Sequence, residues 1–142
     1  MIIEPSLWSK LHGASTHFPI ALMLVSAFCD GACFACPNVD WKRQLRSTAT
    51  VTIVLGALGS YAAVGTGLIM TKWQFWGHGT LLHHHQFVWP AFGLMIGLAT
   101  WRIFKRRSPA DSPAWTYLAL MLLAAALMSG AGYWGGELLN HG

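Results

Sequence analysis

Thr48 to Thr71 reads TATVTIVLGALGSYAAVGTGLIMT, 24 residues without an acidic, basic or proline side chain. A helix needs about 20 apolar residues to cross a hydrocarbon core of ~30 Å. Backbone N–H and C=O groups without partners are costly in lipid, which leaves the α-helix as the conformation for such a run. Working outward, Phe18 to Cys36 is interrupted only by Pro19 and Asp30. Gln86 to Trp101 is interrupted only by Pro90, and since no formal charge falls between Lys72 and Arg102 its helix can begin near Leu81. Ala114 to Gly136 is a fourth uncharged run. The pattern predicts four transmembrane helices, near 17–37, 47–71, 83–105 and 113–138, in one domain over residues 1–142. The fold class is all-α, an integral membrane four-helix bundle.

Composition excludes the alternatives. The chain is 54% hydrophobic and 10% charged, with mean hydropathy +0.45. A soluble domain carries about 25% charged residues, and nine basic plus five acidic side chains cannot coat 142 residues in water. Disorder requires low hydrophobicity and high charge. Three cysteines do not make a disulfide scaffold. The first apolar run has a single Lys before it and no clear small-residue cleavage site, so it is expected to be a retained helix, not a signal peptide.

Basic residues set the expected orientation. Lys42, Arg43 and Arg46 fall between the first two helices, and Arg102, Lys105, Arg106 and Arg107 between the last two. Lys10 and Lys72 are the two basic residues at the other end. The basic-rich side is expected to be cytoplasmic, with both termini and the 72–82 segment outside. Trp8, Trp73, Trp76 and Trp134 then fall at the outer boundary, and Trp41, Trp101 and Trp115 at the inner one, as interfacial belts require. The pI near 9.3 reflects this orientation and not nucleic-acid binding, for which no basic groove is apparent.

On this topology the seven histidines are one-sided. His12 and His17 enter the first helix from outside, His78 lies in the outer segment, His83, His84 and His85 open the third helix, and His141 closes the fourth. Ionisable groups in or beside a bilayer mark function, and imidazole suits Zn, Cu, Ni and iron, haem iron included. Only Glu4 and Glu137 offer carboxylates near this layer, and neither H-E-x-x-H nor C-x-x-C-H occurs. Copper or zinc held by imidazoles and a haem gripped by imidazoles from separate helices both remain open. His17, beside Pro19 in the expected first turn, is the leading ligand candidate. Successive helical residues point about 100° apart, so at most two of His83, His84 and His85 face the bundle. Gly56, Gly59, Gly65 and Gly67, and Gly130, Gly132, Gly135 and Gly136, are expected to serve helix packing or to leave space for a flat cofactor.

Cys29, Cys33 and Cys36 gather at the cytoplasmic end of the first helix. Without a βαβ context they read as reduced, buried apolar groups and not as a redox motif. Asp30 is expected to pair with Arg46 or Arg43 or to stay neutral, with a proton-relay role as the alternative.

His12 and His17, running into Phe18-Pro19-Ile20-Ala21-Leu22, and the closing Gly135-Gly136-Glu137-Leu138-Leu139-Asn140-His141-Gly142, carry a family resemblance. They resemble the H-x-x-x-x-H-F-P-I-A-L opening and the G-G-x-L-x-x-x-H-G ending of a family of small bacterial four-helix membrane proteins catalogued as a domain of unknown function. The likeness extends over nearly the whole chain, with Asp30 and a helix-three His in matching positions. The family's frequent His-Pro is His12-Gly13 here. Members resemble cytochrome b-type subunits and are found near or fused to c-type cytochrome and periplasmic dehydrogenase modules. The resemblance implies a haem b electron-transfer subunit of the bacterial inner membrane with its His-rich face toward the periplasm. His17 with His84 or His85 would be the axial ligands of one haem. His12 and His141 would serve a second haem, a neighbouring metal, or the propionates. Its implied partners are a c-type cytochrome or dehydrogenase subunit, with quinone as a further candidate. At 142 residues it has no room for a substrate-oxidising domain and is expected to be a non-catalytic subunit of an oxidoreductase complex. The rival readings are a copper- or zinc-binding membrane protein and a haem-free anchor of a redox complex.

Overall fold

A computed structural model describes residues 7–105 and 113–141, with side chains as far as Leu138. Glu4, Arg106, Arg107 and the His141 side chain lie outside the described residues. Four helices follow in order: α1 (Leu7–Ala35), α2 (Val39–Met70), α3 (Thr80–Phe104) and α4 (Trp115–His141). All four are long and apolar enough to cross a membrane, and no strand occurs among the described residues.

The helices overrun the lengths read from hydropathy. At a rise of 1.5 Å per residue the 29-residue α1 is ~43 Å long and the 32-residue α2 ~48 Å, well beyond a hydrocarbon core of ~30 Å. Charge ends an apolar run but does not end a helix, and that corrects three expectations. First, α1 starts ten residues before position 17, so Pro19 lies in the helix interior, not its first turn. Second, α2 starts at Val39, capped by Asn38, whose Oδ1 accepts from the backbone N–H of Asp40 at 2.9 Å and of Trp41 at 3.0 Å. Lys42, Arg43 and Arg46 therefore ride on α2 and not in a loop, the actual connection being Cys36 to Asn38. Third, Arg102 belongs to the last turn of α3, where it is buried.

Packing is strongest within the two antiparallel hairpins, α1 with α2 and α3 with α4. Sparser contacts of α2 with α3 and α1 with α4 close the ring, setting α1 and α3 on a diagonal. Met23, Ile53, Met95, Leu98 and Met121 fill the centre. Proline removes one rung of the helical ladder, and small residues of α2 pack against α1 around it. A Cβ on Gly56 would stand 3.4 Å from the Pro19 carbonyl oxygen, and one on Gly59 2.9 Å from the Phe18 ring. Most outward side chains at mid-helix are large and apolar, with Phe28 74% and Leu58 62% exposed. In water that would be a severe exposed-patch penalty; in lipid it is the expected outer surface.

The α2–α3 connection is a tight strap. Lys72 and Trp73 both take positive φ, 52° and 63°, a conformation costing roughly 1–2 kcal/mol per non-glycine residue. The Trp73 N–H donates to the Leu68 carbonyl at 2.7 Å and closes α2. The strap is tied to α3 by the Trp89 Nε1–H, which donates to the Phe75 carbonyl at 2.8 Å.

Candidate functional site

Polar side chains inside the bundle gather in two layers, one at each end. At the end carrying both the N-terminus of α1 and the α2–α3 strap, three imidazoles share one hydrogen-bonding pattern. His12 Nδ1 lies 2.9 Å from the Ala63 carbonyl oxygen of α2 and 3.3 Å from Thr66 Oγ1. His84 Nδ1 lies 2.8 Å from the Ala131 carbonyl of α4, and His85 Nδ1 3.1 Å from the Trp76 carbonyl in the strap. A carbonyl oxygen only accepts, so each Nδ1 must carry the proton. In the neutral ring Nε2 then holds the lone pair, the arrangement in which a second partner orients a ligating His.

His12 and His84 project from diagonal helices, α1 and α3. The His84 and His85 ring centres are 5.7 Å apart. His85 is buried and the other two half-buried. Two glycines seat the rings: a Cβ on Gly67 would come 2.9 Å from His12 Cε1, and one on Gly135 3.3 Å from His84 Cε1. Here the glycines serve side-chain seating, whereas Gly65, Gly132 and Gly136 face open space.

The remaining histidines are placed differently. His17 is exposed. Five residues after His12, it is rotated about 140° around the helix, so the residue that turns to the neighbouring helix is His12. His83 is exposed and stacked on Trp134 with ring centres 4.8 Å apart, and His78 is exposed in the strap. His141 ends α4. Among the described residues no group of three or more His, Cys, Asp or Glu side chains is arranged around a common ion position.

At the opposite end Asp30 of α1 is fully buried. Its Oδ1 accepts from Arg46 Nη1 of α2 at 3.1 Å and its Oδ2 from Arg102 Nη2 of α3 at 2.5 Å. The Arg102 guanidinium sits 4.7 Å over the Tyr117 ring of α4, and Tyr117 donates its hydroxyl to the Leu98 carbonyl at 3.4 Å. This clamp joins all four helices. Of the two arginines expected for Asp30, Arg46 is the partner; Arg43 is exposed and pairs with Asp40 at 3.7 Å. Arg102 was not anticipated, because a basic residue closing an apolar run reads as loop. A buried carboxylate needs cations at its own depth, and Arg102 was one of the few in reach. Cys29 and Cys33 are buried beside the clamp and Cys36 is half-buried, all three as free thiols.

Four membrane-length helices closed into a ring, with an imidazole layer at one end and a carboxylate–guanidinium clamp at the other, define a polytopic four-helix membrane protein. The chain belongs to the predicted membrane protein family DUF2231, whose model matches residues 9–142 and so takes in both polar layers. No curated protein and no solved structure matches it.

Proposed function

We propose that the chain is a haem b-binding electron-transfer subunit in which His12 and His84 would hold the haem iron. The observation that carries this reading is the pair of diagonal imidazoles, each tethered through Nδ1 to a carbonyl of the adjacent helix. Tethering through the carbonyls of Ala63 and Ala131 fixes tautomer and ring plane before any iron is bound, so little ordering remains to be done on binding. His85 holds the α2–α3 strap against the layer through the Trp76 carbonyl. Haem would supply a one-electron couple, and imidazole held from two helices would favour electron transfer over O₂ chemistry.

The basic ends of α2 and α3 support a cytoplasmic placement of the clamp and a periplasmic placement of the imidazoles in a bacterial inner membrane. Electrons would then pass between a periplasmic partner, a c-type cytochrome or dehydrogenase subunit, and quinone or another respiratory subunit. Exposed Trp8, Trp73, Phe75 and Trp76 supply aromatic surface at that end for a stable complex.

The test is the reduced-minus-oxidised visible spectrum of the purified chain with a pyridine haemochrome count. A b-type spectrum is expected, lost in His12→Ala and in His84→Ala and kept in His17→Ala and His83→Ala. A full spectrum in His12→Ala would refute the pairing. The adjacency of His84 and His85 favours one second reading, a copper or zinc site. Colourless protein carrying metal by elemental analysis would establish that reading instead.

A further inference from the structure

We infer that the clamp end of the bundle carries a binding site for a phosphate-bearing anion, most readily an anionic phospholipid headgroup, in a recess between α2, α3 and the start of α4. The recess is lined by Arg46, Trp101, Arg102, Lys105 and Tyr117 and has a volume of about 20 Å³. A single water needs about 10–15 Å³ measured in this way, so the recess has room for one to two waters and takes at most the leading oxygens of a phosphate group, the rest lying outside its mouth.

Among the described residues its charge is unbalanced. Arg46, Arg102 and Lys105 bring three cations, and Asp30 is the one carboxylate bonded to the two arginines among the described residues. A guanidinium has five N–H donors, and Asp30 receives one from each arginine. The buried Nε of Arg102 has no hydrogen-bond partner among the described residues. Lys105 Nζ is placed over the Trp101 ring at 5.1 Å, at the exposed edge of the recess. Cationic pockets between transmembrane helices at the headgroup level are the sites at which anionic lipids lodge, and planar guanidinium donors suit phosphate oxygens. The inference rests on the clamp geometry and is independent of the haem reading.

The test uses the full chain in mild detergent. Native mass spectrometry and thermal unfolding are followed with phosphatidylglycerol, phosphatidylcholine or inorganic phosphate added. Arg102 and Arg46 variants are avoided, since both residues hold the fold together; Lys105→Gln probes the recess from its rim. Arg43→Gln removes the same charge at the same end but outside the recess. Preferential retention of phosphatidylglycerol over phosphatidylcholine is expected. Lys105→Gln should bind about fivefold more weakly, the effect of one basic residue at a lipid surface, and Arg43→Gln should change binding less than twofold. A stabilising shift from inorganic phosphate alone, weakened in the same way by Lys105→Gln, supports the site with free phosphate as its source. Binding of neither probe, or equal losses in Lys105→Gln and Arg43→Gln, overturns the site.

Discussion

Replacing Asp30 by Asn leaves the shape of the side chain and removes the charge that two buried guanidiniums share. The Asp30 side chain is 0% exposed, that of Arg46 10% and that of Arg102 5%. Removing one partner of a buried pair costs about 3–5 kcal/mol, because the remaining charge stays desolvated and uncompensated. Here two cations remain, on different oxygens of Asp30, and one of them would face the amide NH₂ of the Asn, so the upper part of that range applies. The exposed pair Asp40–Arg43, with side chains 83% and 63% exposed, is an internal control. Asp40→Asn should cost no more than about 1 kcal/mol. Unfolding in mixed detergent–SDS micelles, followed by far-UV circular dichroism, measures both. A loss of ~4 kcal/mol lowers the folding equilibrium constant roughly 1,000-fold. A triple change of Asp30→Leu, Arg46→Met and Arg102→Met should recover most of that loss, since an apolar replacement leaves no charge buried. A loss in Asp30→Asn no larger than in Asp40→Asn would show that the clamp is solvated by the headgroup layer, and the argument would fail.

Three further outcomes are expected. Gly67→Ala should destabilise the bundle by ~1–3 kcal/mol, because its Cβ would stand 2.9 Å from His12 Cε1; Gly65→Ala, which meets open space, should be tolerated, and equal effects in the same unfolding assay would refute the seating of His12. Changing Cys29, Cys33 and Cys36 together to Ala should leave the visible spectrum of the purified protein intact, since the thiols lie at the clamp end, about a bilayer thickness from the imidazoles; a lost chromophore would implicate them. Reporter fusions after Gly142 should be active in the periplasm and fusions after Arg107 in the cytoplasm, and the opposite pattern would invert the orientation and move the imidazole layer to the inner face.

Sequence alone determined the number, kind and approximate place of the helices. Four long runs without charge admit one solution in lipid, because unpaired backbone groups cannot be tolerated there, and Thr48–Thr71 makes that argument without help. It also located a histidine-rich end and an acidic residue that needed a cation. The starts of α1 and α2 were not legible, whereas the other helix ends agree within three residues. Asn38 caps α2 within a charged stretch, and Leu7 begins α1 ten residues before the expected start at position 17, because hydrogen bonding and capping, not hydropathy, decide where a helix stops. Ligand geometry was equally out of reach. His12 and His17 stand five residues apart in the sequence, a turn of about 140° around the helix separates them, and only the packing of α1 on α2 decided that His12 meets the Ala63 carbonyl while His17 is left exposed. Arg102 illustrates the same limit at the other end, 72 residues from the carboxylate it binds. Local pattern reports which groups must be buried; which of them meet depends on how the helices turn and close the ring, and that is a property of the assembled bundle.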